Sequence, residues 1–187
     1  PVVYQGQELG LTNTRFRSAS ELRHGVSLRL YNEYCEKHGE VEALRRVVHS
    51  TPDNARTPMP WGPGPKGNFT GAEPWLRLPD GVDYLNASAQ MQDKHSVWSH
   101  YHRLIVLRTE NEGLVYGDFR PVFSKNDKVF CYFRMGEKER WYIEMNITGK
   151  QVARPGHILP TMVLEASNYD ASAEMLRPYE ANVYRCL

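Results

Sequence analysis

Between Thr57 and Gly81 the chain carries Pro58, Pro60, Pro63, Pro65, Pro74 and Pro79, alternating with Gly62, Gly64, Gly67, Gly71 and Gly81. Neither a helix nor a central strand survives such a run, because each proline removes an N–H donor and each glycine raises the entropic cost of order. The same stretch nevertheless holds Met59, Trp61, Phe69, Trp75 and Leu76. A flexible linker does not carry that many large apolar groups. The segment is therefore expected to be a long ordered loop packed on a scaffold, the kind of loop that carries function.

The hydrophobic period sorts what flanks this loop. Val2-Val3-Tyr4, short, β-branched and aromatic and closed by Gly6, reads as a fully buried strand, yet no βα repeat follows to supply it with neighbours. Ser18-Ala19-Ser20-Glu21 offers a capping box ahead of a helix to about Cys35, with Leu22, Leu28, Leu30 and Tyr31 as apolar contacts. Val41, Leu44, Val47 and Val48 mark a second helix that Pro52 closes. Asp93 is placed to cap a third, from about His95 to Thr109, with Val97, Tyr101, Leu104, Ile105 and Arg108 on one face. Beyond Gly113 the period falls to two. Strands are expected at 114–120, 128–134, 140–147, 158–165 and 180–186, with a boundary near residue 112 and an antiparallel β-sandwich domain at 113–187.

Composition excludes several classes of function. Lys and Arg number 23 against 22 Asp and Glu, so the basic excess that phosphate neutralisation needs is missing and no nucleic-acid partner is expected. Mean hydropathy is −0.59 and no apolar run approaches the roughly 20 residues of a membrane helix. Four Trp, eleven Tyr and six Phe argue against disorder. Cys35, Cys131 and Cys186 lack zinc-site spacing, and the seven histidines, His157 among them, form no ligand pattern, so neither a metal nor another cofactor is expected. Cys131 and Cys186 could pair if the chain is secreted, leaving Cys35 to link to another chain; three reduced thiols are the alternative. The sequons at Asn68, Asn86 and Asn146 exceed the single one chance predicts and lean towards glycosylation and the secretory route, with the cytoplasm as the alternative. The opening Pro1-Val2-Val3, without Met or a leader pattern, reads as the start of a fragment or a processed chain.

Motifs for phosphate loops, dinucleotides and serine hydrolases are missing. What remains is Asp53-Asn54-Ala55-Arg56-Thr57 beside Trp61: an acid, a guanidinium and an indole, a set suited to sugar hydroxyls and sugar rings. The competing account is a structural turn closed by an Asp53 to Arg56 ion pair.

Residues 53–61, Asp-Asn-Ala-Arg-Thr-Pro-Met-Pro-Trp, resemble the Arg-Asp-x-x-Arg-Thr-Pro-Met-x-Trp signature of the α-glucosidase and oligo-1,6-glucosidase branch of the α-amylase superfamily, glycoside hydrolase family 13. Residues 1–13 are similar to its eighth barrel strand and the turn after it. Asn68-Phe69-Thr70-Gly71 with Pro74-Trp75 resembles its Gly-Phe-Thr-x-Gly-x-Pro-Trp segment, residues 96–108 its last barrel helix, and residues 176–181 its terminal Leu-Arg-Pro-Tyr-Glu-Ala strand.

The resemblance implies that residues 1–112 are the end of a catalytic (β/α)8 TIM-type barrel: last strand, long active-site loop and last helix. The antiparallel β-sandwich domain would follow. It also implies a retaining glycosidase acting on short α-glucosides or sucrose, in which one carboxylate attacks the anomeric carbon and a second protonates the leaving oxygen. Those carboxylates belong to earlier strands, so no catalytic residue is assigned here. Asp53, Arg56 and Trp61 are the expected substrate-binding residues, and the upstream part of the same polypeptide, intact or cleaved, is the expected partner. Two departures fall on the substrate: the family's leading Arg is Pro52, and the acid of its Arg-Asp-x-Glu helix segment is Val26. They leave open a sucrose isomerase or glucosyltransferase of the same family and a catalytically inactive, glycosidase-like partner or binding protein.

Overall fold

The computed structural model describes residues 2–156, 158–169 and 174–187; Pro1 and His157 lie outside them. The chain divides into two compact units, residues 1–101 and residues 102–187.

The first unit is helix and loop. Helices α1 (Gly25–His38) and α2 (Glu40–Ser50) form a hairpin whose turn is Gly39, at φ 78°. Val47, with Val48, Leu28, Tyr31 and Tyr34 partly buried, closes on Phe16, Leu22 and Leu76. Leu30 and Val41, expected inside, face solvent at 37% and 86% exposure. The buried stripe of α2 runs instead through Ala43 and Val47, one helical turn apart. The capping box is not realised. The Ser18 side chain makes no cap bond and Glu21 accepts from the Arg17 amide; residues 19–21 form a single 3₁₀ turn, and α1 starts four residues later with His24 as its cap.

Val2, Val3 and Tyr4 pair with no strand among the described residues and are 98%, 38% and 58% exposed. A parallel strand takes partners on both edges and cover on both faces, and the described residues supply neither. Short helix α3 (Ala87–Gln92) is capped by Asn86, whose side chain accepts from the Ala89 amide. Helix α4 (Val97–Glu110) begins after Ser96, whose hydroxyl accepts from the Ser99 amide; Asp93 accepts instead from the His95 amide just outside the helix.

In the second unit a single-turn helix α5 (Glu112–Tyr116) occupies the beginning of the expected first strand. Leu114 needs the inward position that this turn gives it, packed with Leu107 against Trp141 and Ile143. Strands β1 (Asp118–Val122), β2 (Val129–Met135), β3 (Arg140–Asn146), β5 (Met162–Ser167) and β7 (Ala181–Cys186) then form one antiparallel sheet in the order β1-β2-β3-β7-β5. The two-residue strands β4 (Val152–Ala153) and β6 (Met175–Leu176), too short to show a period, pair with each other. Val152 and Leu176 cover Val129, Cys131, Tyr142 and Tyr184 on one face of the large sheet, while Leu107 and Leu114 cover the other.

Within the first of these layers lie two fully buried carboxylates. Glu144 accepts from Asn182 at 3.0 Å and Tyr184 at 3.3 Å and pairs with Arg154 at 3.0 Å. Glu180 accepts from Asn182 and pairs with Arg177, both at 3.0 Å. These contacts hold the Glu180 carboxyl below its ordinary range against the opposing effect of burial.

The cysteine pairing is corrected as well. Cys131 stands opposite Glu144, which stands opposite Asn182, so Cys186 lies two strands across and four residues along. That separation is about 16 Å, beyond the roughly 7 Å that a disulfide spans. All three thiols are free. Burial pushes the Cys131 and Cys186 thiols up, away from the reactive thiolate.

Candidate substrate-binding loop

The site is built from two turns that grip each other. Gly6 and Gly10, at φ 87° and 67°, bracket the 3₁₀ turn Gln7–Leu9. Gly6 suits this position because an L side chain at that positive φ is strained and its Cβ would also push Leu11 Cδ1 aside. Leu9 goes to the core with Met59 and Ala87, and its carbonyl accepts from the buried Gln90 side chain at 2.7 Å.

Across from this turn, residues 51–61 are fixed by side chains reaching backbone. The Tyr4 hydroxyl donates to the Ala55 carbonyl at 3.0 Å and Gln5 donates to that of Thr57 at 3.3 Å. Asn54 accepts from the Thr14 amide and donates to the Val48 carbonyl. Pro58, Met59 and Pro60 are buried, and the Pro60 and Trp61 carbonyls accept from Ala87 and Ser88.

The three residues singled out by the sequence have separate places. Asp53 is fully buried, and its Oδ2 accepts from the Arg23 and His24 amides at 2.8 and 3.0 Å. Its own amide donates to Thr51 Oγ1, which also accepts from Ser27 Oγ, and the Ser27 amide donates to His24 Nδ1. Asp53 therefore fastens the start of α1 to the loop and makes no ion pair with Arg56. Arg56 is exposed and makes no hydrogen bond or ion pair with the described residues, and Trp61 is 54% exposed. Its guanidinium offers five N–H donors and the Trp61 indole one N–H and two apolar faces, both carried on backbone that cannot relax away.

Between the turns lies a pocket of about 320 Å3 lined by Tyr4, Gln5, Gln7, Asn13, Asn54 and Thr57, among others. Its amides were not singled out from sequence. The signal was present, since Gln5, Gln7 and Asn13 crowd one short turn. This wall can hydrogen-bond hydroxyls and cover a ring. Among the described residues no cluster of three or more His, Cys, Asp or Glu is placed to hold a metal.

Of the three sequons, Asn86 and Asn146 are buried and committed. Asn86 Nδ2 donates to the Val82 carbonyl, and Asn146 Nδ2 to those of Lys150 and Arg177. A glycan on either would break these bonds in the folded chain, which removes two of the three acceptors; Asn68 alone is exposed. Among the described residues no helix is long and apolar enough to cross a membrane.

The family described as "Alpha amylase, catalytic domain" matches residues 1–117. The oligo-1,6-glucosidase of Parageobacillus thermoglucosidasius is 35% identical over 99% of this chain and 35% of its own length. Among solved structures, the trehalose-6-phosphate hydrolase of Bacillus licheniformis superposes with a TM-score of 0.86 at 29% identity, over 98% of this chain and 35% of that one. An isomaltulose synthase from Klebsiella gives 0.83 at 27% identity, over 100% and 35%. The chain thus spans about a third of the length of the relatives it matches.

Proposed function

Because this chain belongs to the α-amylase family, its first 117 residues matching the catalytic domain, we propose that the complete protein is a retaining α-glucosidase-like hydrolase of short α-glucosides or sucrose. The observation that carries the reading is the hydrogen-bonded loop at residues 51–61, which leaves Arg56 and Trp61 exposed while its Asn54 and Thr57 line an amide-bearing pocket. In this reading the chain supplies one wall of the cleft. Arg56 donates to sugar hydroxyls, Trp61 covers the apolar face of a sugar ring, and Asp53 keeps both in place without touching substrate. The nucleophile and the acid, about 5–5.5 Å apart in a retaining enzyme, come from the upstream part of the polypeptide. No paired carboxylate in this loop is assigned to either role.

The oligo-1,6-glucosidase and trehalose-6-phosphate hydrolase relatives support glucose release as the reaction. The isomaltulose synthase neighbour supports a second reading, in which the same covalent intermediate passes its glucosyl group to a sugar instead of water. Incubating the complete protein with maltose, isomaltose, trehalose and sucrose decides. Free glucose from any of them carries the hydrolase, an isomeric disaccharide from sucrose carries the transferase, and no turnover of all four selects the inactive form that Pro52 and Val26 leave open. The 187-residue chain by itself should hydrolyse none.

Free thiols that cannot bridge within the β-sandwich, together with two buried sequons, favour a reducing compartment over the secretory route.

A further inference from the structure

A second cleft, sharing no residue with the pocket at Tyr4 and Asn54, opens on the same unit. It encloses about 560 Å3, within the range of about 300–1,000 Å3 typical of small-molecule sites. Its lining includes Trp75, Arg77, Arg23, Glu21 and Asp80.

Three features make it a built site. Trp75 is 52% exposed, although Leu76 beside it is among the most deeply buried side chains of the chain. The Trp75 carbonyl accepts from Arg23 Nε at 3.2 Å, and the Arg23 amide is itself held by Asp53. The Trp75 backbone is thus held by Arg23 and by the buried Leu76 next to it, so little backbone order is lost on binding. In the same lining Arg77 donates to Asp80 Oδ1 at 3.4 Å and lies 3.8 Å from Glu21, which leaves other N–H donors of its guanidinium for a ligand. Both acids are positioned by backbone: Glu21 accepts from the Arg17 amide and Asp80 from the Arg15 amide.

An apolar indole plate in one lining with a guanidinium flanked by carboxylates matches a pyranose, whose ring face is apolar and whose rim is a belt of hydroxyls that donate and accept. Charge selects further. The lining carries Glu21, Glu73, Asp80 and Asp83 against Arg23 and Arg77, an acidic balance that disfavours phosphorylated sugars. We propose that this cleft is a non-catalytic binding site for a neutral saccharide, with Trp75 as the plate and Arg77 as the principal donor. It goes beyond the hydrolase reading and does not require that the protein turn over anything.

The test uses the complete protein and β-cyclodextrin, a ring of α-linked glucose with no chain end to enter a site that works from chain ends. Titration calorimetry should show saturable binding, read in the same way for every variant, and in the unsubstituted protein the Trp75 indole N–H resonance should shift with it. Trp75→Ala should weaken binding by about tenfold or more, with Arg77→Gln acting in the same direction and Trp75→Phe retaining part of the affinity. Thermal unfolding of each variant separates lost binding from lost fold, and Arg77→Gln serves if Trp75→Ala does not fold. Turnover of a small α-glucoside, where present, should be unchanged in Arg77→Gln. No indole shift, as when the upstream polypeptide covers Trp75, overturns the proposal, as does binding that both variants leave intact. Preferential shifts with glucose 6-phosphate overturn the neutral-ligand assignment. An inactive protein that still shows the cyclodextrin shift would defeat the hydrolase reading and leave this one standing.

Discussion

In the unit that runs to Tyr101, loops are held by side chains reaching distant backbone: Asp53 to Arg23 and His24, Tyr4 to Ala55, Asn13 to His49. In the unit from His102 onward, backbone pairs with backbone, and the sheet carries a packed layer on each face. The first kind of order concentrates in a few polar atoms and can be lost at a single position. The second is spread over many small contacts, so no one residue commands it. Both units leave aromatic side chains more than 40% exposed, Tyr4, Trp61, Phe69 and Trp75 in the first and Tyr116, Phe119 and Tyr179 in the second, while the sheet of the second buries Trp141 and Tyr184 to 2% or less.

The hardest test of that contrast is to separate the parts. Residues 113–187 expressed alone should melt cooperatively, while residues 1–112 should aggregate or unfold gradually, for want of partners for the expected barrel strand. A sharp calorimetric transition for the 1–112 piece would break the comparison.

Next in size is Asp53→Ala, which strands two part-buried amides and should cost about 2 kcal/mol in urea unfolding of the complete protein. Asp53→Asn, which keeps an acceptor, should cost less. Equal losses for the two would mean that packing around Asp53, not its hydrogen bonds, holds the loop.

Gly6→Ala should cost about 1–3 kcal/mol, since alanine at positive φ is strained and its Cβ meets Leu11; the shift in melting temperature reads it. The smallest effect sits at the surface. Hydrogen bonds from Arg45 and Arg46 hold the Glu42 carboxyl down to about 2. Its contribution is therefore present above the ordinary carboxylate range and fades as pH falls through about 2. An NMR titration of Glu42 with a midpoint near 4.5 would remove it, and Glu42→Gln should barely move the melt at neutral pH.

The same contrast explains what could be read from the sequence. Strands β2, β3 and β7 were legible because each alternates between two covered faces, and that alternation is written locally. Residues 114–116 misled, since Leu-Val-Tyr is β-type by composition, while the need for Leu114 to reach Trp141 comes from the fold. In the loop, Asp53, Arg56 and Trp61 stood out as a set suited to sugars, but their division of labour did not. Asp53 meets amides 29 and 30 residues away, and no local pattern encodes a partner at that distance. Trp75 and Arg77 passed as loop residues because the cleft between them exists only once Asp80 and Glu21 have been folded together.

The buried ion pairs inside the sandwich bear on alignment. Glu144 faces Asn182 across β3 and β7, with Arg154 within reach of the carboxylate. Sliding β3 by one residue would turn Glu144 towards Leu107 and Leu114, away from Arg154, and leave a carboxylate in an apolar layer without its counter-charge. The packing of the two different layers already disfavours such a slip, and the buried ion adds to it. Here each wrong alignment carries the full cost of an unpaired ion, while the right one gains little from the pair itself. Glu144 and Glu180 therefore act less on how firmly the sheet is held than on which of the adjacent pairings the chain can adopt at all.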